Sequence, residues 1–263
     1  MSPQTNPPTG PDLSVTVAEG VALLEMRRPP ANHIDEVLLR RIVETAFTLD
    51  DDPACRVIVL ASEGKHFCAG ADLGHADFVR DRAAAAQALY AYAAKLFDTR
   101  TPIVAAVQGS AVGGGLGLAC AADFRVAEAS TRFVANFARL GFHQGFGLSV
   151  TLPSLVGGQF AADMLLTARR VGGEEAVRKG LADRLAEPGR LRETARDLAL
   201  QIAASAPLAV RSIRATLRAG LADRIRQALD HELAEQRALW ATGDSAEGIE
   251  ATRQRRAPVF RGE

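Results

Sequence analysis

Net charge is the first thing this chain lacks. Lys plus Arg and Asp plus Glu number 31 each, so the formal net charge is +0. With no positive excess and no basic block, there is no electrostatic footprint for nucleic acid or an anionic membrane surface, and neither is expected as a partner. The local basic cluster between Arg253 and Arg256 reads as a solvated helix face. Cysteine is scarce too. Cys55, Cys68 and Cys120 lie far apart, with neither metal-ligand spacing nor the pattern of a disulfide framework. No metal is expected, and reduced thiols in a cytoplasmic protein are the simplest account. The N-terminus has neither the basic start nor the apolar core of a signal peptide, and residues 1–12 read as a disordered tail. Thr101 to Ala122 carries no charge and is long enough to raise the question of a membrane span. Its Pro, Gln, Ser and glycines argue instead for a buried strand, a turn and a helix.

What is present is a succession of strand–helix units. Val15–Val17 and Val21–Met26 predict a β-hairpin, followed by a proline-stopped loop over Arg27–Asn32. Asp35 is placed to cap a helix running to about Leu49, and Val57–Leu60 reads as a buried strand. A long alanine-rich helix is expected from Asp77 to about Phe97, then a buried strand at Ile103–Val107 and another over Asp123–Ala127. This alternation predicts an α/β fold with a mostly parallel sheet. From about Gly157 the pattern turns helical, over roughly 158–168, 173–180, 190–205, 207–219, 223–241 and 244–255, with Pro207 where a first-turn proline is tolerated. The organisation expected is a tail over 1–12, a core over 13–205 and a helical C-terminal region over 206–263.

Two segments carry chemistry. Lys65–Leu73 and Gly109–Ala119 each place a small-residue turn between an apolar strand and a helix. Such turns leave backbone N–H groups unpaired, and two of them can converge on one oxygen and hold it as an anion. The glycines of Gly113–Gly117 are not a nucleotide loop: no Lys-Ser/Thr follows, and Leu118 stands where G-x-G-x-x-G needs its last glycine. Taken alone, they could equally serve close packing of a helix on a sheet.

At this point the chain resembles the enoyl-CoA hydratase/isomerase, or crotonase, superfamily. The resemblance rests on Arg28-Pro-Pro-Ala-Asn32, Phe67-Cys-Ala-Gly-Ala-Asp-Leu73, Pro102–Gly115, Ala121-Ala-Asp-Phe-Arg125, Leu152-Pro-Ser-Leu-Val-Gly157, Glu247-Gly-Ile249 and Arg256-Ala-Pro-Val-Phe260, in order along nearly the whole chain. It implies a spiral of ββα units with a helical C-terminal trimerisation region, often doubled to a hexamer. It implies an acyl-CoA thioester as substrate, with coenzyme A brought by the substrate and no separate cofactor. By position the oxyanion donors would be the N–H groups of Ala71 and Gly114. Arg28 and the backbone of Ala69, Asp72 and Leu73 would be expected to cradle coenzyme A, although Asp72 also suits a turn cap.

A second absence bears on the reaction. Hydratases of the family use two glutamates, at positions held here by Gly117 and Phe137, and single-carboxylate isomerases often use an aspartate at the position of Gly145. No carboxylate occurs between Ser130 and Gln159. Water addition needs a base and an acid, so two-glutamate hydration is not expected. Isomerisation, decarboxylation or other lyase chemistry all need an enolate, which the paired turns would hold, and loss of carbon dioxide makes it without a base. His143 is a candidate proton donor or simply a satisfied loop histidine, and Gln144 a candidate for orienting water or a substrate carboxylate. Phe137 suits an apolar acyl pocket, as it suits core packing. The alternatives are a catalytically degenerate acyl-CoA-binding protein, or a thioester or carbon–carbon hydrolase.

Overall fold

The computed structural model describes residues 10–263. The hairpin forms from β1 (Leu13–Ala18) and β2 (Val21–Met26), and β2 then starts a parallel run through β3 (Val57–Ser62), β4 (Ile103–Val107), β6 (Phe124–Glu128) and β9 (Arg184–Ala186). A smaller sheet holds β5 (Ser110–Val112), β7 (Arg132–Val134) and β8 (Arg170–Gly172). β4 and β6 each give one strand to the large sheet, pass the next to the small sheet, and then enter a helix: α4 (Gly114–Ala121) after β5, and α5 (Leu148–Val156) after β7. That is the ββα repeat. β3 and β4 are buried at every position, which is why both read as unbroken apolar runs rather than alternating ones.

α1 (Glu36–Asp51) starts where expected, with the Asp35 carboxylate accepting from Leu38 N at 2.8 Å. It runs past Leu49 because Asp50 turns inward, where its carboxylate accepts from the backbone N–H groups of Arg100 and Thr101 at 2.9 and 2.7 Å. The single helix expected over 77–97 is instead two, α2 (Ala76–Arg80) and α3 (Arg82–Leu96). Asp81 leaves the helical region at φ −153° and caps α3 through Ala84 N. The Thr101–Ala122 run divides into β4, β5 and α4. No helix among the described residues is long and apolar enough to cross a membrane.

The helical second half contains α6 (Gly158–Thr167), α7 (Gly173–Arg178), α8 (Leu191–Ala203), α9 (Pro207–Leu217), α10 (Leu221–Trp240) and α11 (Gly243–Arg253). α5 and the short strands β5, β7, β8 and β9 were not predicted from the sequence. Of the expected tail, residues 1–9 lie outside the described residues. Residues 10–12 are part of the fold: Gly10 pairs with Leu13, and Asp12 O accepts from Arg27 N at 2.8 Å. The C-terminal region is more than an appendage, because α10 packs along α3 and closes the core on that side.

Candidate active site

The two small-residue turns lie side by side. Cys68 N donates to Ser110 O at 3.1 Å and Val112 N to Cys68 O at 3.0 Å, extending the small sheet by one bridge and bringing the turns together. The approach admits no extra atom: a Cβ on Gly115 would overlap the Cys68 carbonyl, and one on Gly70 would lie 2.8 Å from Val112 O. Gly113, at φ +54°, turns the chain into α4 and spends its own N–H on Val134 O. Among the described residues, neither Ala71 N nor Gly114 N donates a hydrogen bond. Gly114 opens α4, so the helix dipole adds positive potential at that N–H.

The segment 31–34 braces this arrangement. Ala69 N donates to Ala31 O at 2.9 Å and Ile34 N to Gly70 O at 3.0 Å. Asn32, fully buried at φ +48°, donates through Nδ2 to Glu63 O and His66 O and accepts from Arg28 N through Oδ1. All of its hydrogen-bonding directions along the loop are spent, so the Pro-Pro-Ala-Asn motif is a structural clamp.

A cavity of about 450 Å³ opens over the turns, at the small end of the range for ligand sites. Ala69, Ala71, Asp72, Leu73, Gly114 and Phe137 all line it. Asp72 Oδ1 also accepts from Gly74 N at 2.9 Å, the turn cap anticipated for it. The remaining walls are chiefly apolar, among them Leu89, Leu140, Phe142, Phe146 and Trp240. A second hollow of about 810 Å³ shares His33, Ala71, Asp72, Phe78 and Leu89 with the first and extends past Arg28 and Pro29.

Three expected residues do not take their expected places. His143 lines neither hollow: its Nδ1 lies 2.9 Å from its neighbour's carbonyl, Gln144 O, and its ring packs edge-on against His231. Gln144 also points away, donating to Ser149 Oγ at 3.0 Å. Both are half-buried on neighbours outside the cavity, and the loop backbone on either side is held by α10, through the His143 carbonyl and the Gly147 N–H. Arg28 faces the second hollow, but Asp12 and Asp35 pair with its guanidinium at 2.8 and 2.7 Å, so it is not a free cation awaiting a phosphate.

Two of the empty carboxylate positions, Gly117 and Gly145, have physical causes. A Cβ at Gly117 would stand 2.5 Å from Phe146 Cβ, so the phenylalanine occupies the space a side chain there would need. Phe146 holds this pose at φ +62°, an uncommon conformation for a non-glycine residue. At Gly145 any Cβ would overlap the Tyr90 hydroxyl.

The cavity instead contains polar groups that sequence reasoning missed. His33 lines it one residue beyond the motif, with Nδ1 3.1 Å from Gly70 O. A carbonyl only accepts, so Nδ1 is the donor, and in the neutral ring Nε2 is the acceptor. Tyr90 from α3, Asn136 after β7, and Gln236 from α10 line it as well. His33 could have been found from its place beside Asn32. Tyr90 and Gln236 sit 146 positions apart in the chain and no local pattern joins them.

Comparison with known proteins agrees with this geometry. The enoyl-CoA hydratase/isomerase family model matches residues 16–263. A carnitinyl-CoA dehydratase of Salmonella typhi is 34% identical over 259 residues, covering 96% of each chain. One from Proteus mirabilis is 33% identical over 95% of this chain and 98% of its own. Among solved structures, an enoyl-CoA hydratase/isomerase from Pseudoalteromonas atlantica T6c superposes with a TM-score of 0.85 at 27% identity, over 95% of this chain and all of that one. With its ββα spiral and its paired turns at a cavity, the chain belongs to the enoyl-CoA hydratase/isomerase family.

Proposed function

We infer that the chain is a lyase or isomerase acting on an acyl-CoA thioester, and that it holds the substrate's enolate between Ala71 N and Gly114 N. The observation that carries this reading is the pair of unspent N–H groups at an apolar cavity with no carboxylate at 117 or 137. With the thioester oxygen between them, electrons released at the α-carbon, by loss of a proton or of carbon dioxide, pass to that oxygen. Donors fixed in advance stabilise it more as an anion than as a carbonyl, which is what lowers the barrier. The relatives' names, dehydratases, support the lyase class. The proton acceptor we assign is His33 Nε2, in place of the family's glutamates and of His143. A second reading, an acyl-CoA-binding protein without turnover, is favoured by the missing carboxylates. The exposed apolar side chains of α9 support assembly into trimers or hexamers.

The test is incubation with acyl-, enoyl- and malonyl-type CoA thioesters in deuterium oxide, read by mass spectrometry. The expected result is deuterium at the α-carbon or loss of carbon dioxide. Gly114→Pro deletes one donor at a helix position that tolerates proline and should slow the reaction by about 10²–10³-fold. His33→Ala should slow proton exchange by about 10²–10⁴-fold. Binding without exchange would establish the second reading, and release of free coenzyme A would indicate a hydrolase.

A further inference from the structure

Tyr90 reaches from α3 into the cavity beneath the Gly141–Leu148 loop, where it and Gln236 form a hydrogen-bonded pair in a mainly aromatic wall. The direction of each bond can be derived. Gln236 is 1% exposed, and its amide lies 2.9 Å from the Tyr90 hydroxyl on one side and 2.9 Å from the His143 carbonyl on the other. The carbonyl can only accept, so the amide turns Nε2 toward it and Oε1 toward the tyrosine. Tyr90 must then donate its one proton to Gln236. Among the described residues the phenolic oxygen accepts no hydrogen bond, so it keeps accepting capacity at the cavity it lines. Burial pushes the phenol's pKa up from its ordinary value, so the group stays neutral. What Tyr90 offers a ligand is a neutral acceptor. It stands where a side chain at position 145 would begin, and Gly145 is what admits it.

We propose that Tyr90, oriented by Gln236, is the specificity-determining residue of the acyl cavity, accepting a hydrogen bond from a hydroxyl group on the acyl chain. This rests on reading the cavity as the acyl site. A plain acyl chain would bury the phenolic lone pair with no donor to meet it, and sites built to bond a hydroxyl discriminate strongly against analogues that lack one. A carboxylate or ketone in the same place brings only acceptors, lone pair against lone pair. The tyrosine also ties α3 to α10, so the test must move a quantity that a purely structural tie would not.

The experiment is calorimetric titration of the full-length protein with butyryl-CoA, both enantiomers of 3-hydroxybutyryl-CoA, and acetoacetyl-CoA. The wild type should bind one hydroxybutyryl enantiomer about tenfold or more tightly than butyryl-CoA. In Tyr90→Phe that ratio should fall to about one, with circular dichroism confirming the fold. In Gln236→Leu the phenolic proton is released from its partner, so acetoacetyl-CoA should gain affinity relative to butyryl-CoA. Equal wild-type affinity for the hydroxylated and plain thioesters would overturn the assignment while leaving the enolate reading intact. So would a preference that survives in Tyr90→Phe, or, should that variant fail to fold, an unchanged acetoacetyl ratio in Gln236→Leu. Failure of the wild type to bind any of the thioesters would overturn both.

Discussion

Gly117 and Gly145 are small for one reason: an aromatic side chain from elsewhere has taken the space above each. A glutamate restored at 117 would meet Phe146, and overpacking of this kind typically costs about 1–3 kcal/mol. Gly117→Glu should therefore lower the melting temperature by several degrees and gain no hydratase activity. Adding Phe146→Gly, which removes the Cβ that stands in the way and suits the positive φ there, should recover part of the loss, so the double mutant melts higher than the sum of the single effects requires. Differential scanning calorimetry of the four proteins measures this. His143→Ala should leave exchange at the α-carbon within about twofold of wild type, because the ring lies outside the cavity and only the backbone carbonyl serves Gln236. The missing carboxylates were legible in the sequence because they are facts of residue identity. What fills their space was not, because Phe146 acts through its backbone conformation and Tyr90 arrives from a distant helix.

At the scale of elements, α10 holds the loop that carries these residues. Glu232, fully buried on α10, accepts from Gly147 N at 2.8 Å and from Ser149 N at 2.9 Å, capping α5 from across the core. Burial pushes its carboxyl pKa up, against the opposing pull of those hydrogen bonds. The folded protein thus holds this proton more tightly than the unfolded chain does. The stability it contributes is complete below the ordinary carboxylate range, near pH 4, and is lost as pH rises through the raised value. Glu232→Gln removes the titration, but its amide NH2 cannot accept from one of the two N–H groups. The variant should melt below wild type in acid and gain on it as pH rises above about 4. A difference independent of pH would refute this. Helices such as α1 and α9 could be placed from Asp35 and Pro207, whose capping and first-turn roles are local. α5 could not, since it carries Pro153 inside it and its N-terminal N–H groups find their acceptor 83 to 85 residues away.

Over the whole molecule, the helical C-terminal half has two kinds of face. α10 and α11 turn inward, giving Gln236, Trp240 and Ile249 to the cavity, so the site needs the last third of the chain even before any partner is considered. α9 turns outward, with Leu208 80%, Ile213 60% and Leu217 81% exposed. Its inner side is fixed by charge, Arg214 and Arg218 of the helix and its C-cap both meeting Asp123 at 2.9 Å, so the apolar row is presented at a set orientation instead of being free to roll under. Exposed apolar side chains held in this way are what an obligate interface offers. The family resemblance implies trimers or hexamers, so a protomer of 27.9 kDa is expected to scatter light as three or six copies. Leu217→Glu would place a charge where the partner surface must be dry, and should shift the population toward single protomers while the circular dichroism spectrum stays unchanged. A wild-type mass of one protomer would remove the assembly from the reading, and the cavity, closed by its own chain's α10 and α11, would then have to work alone.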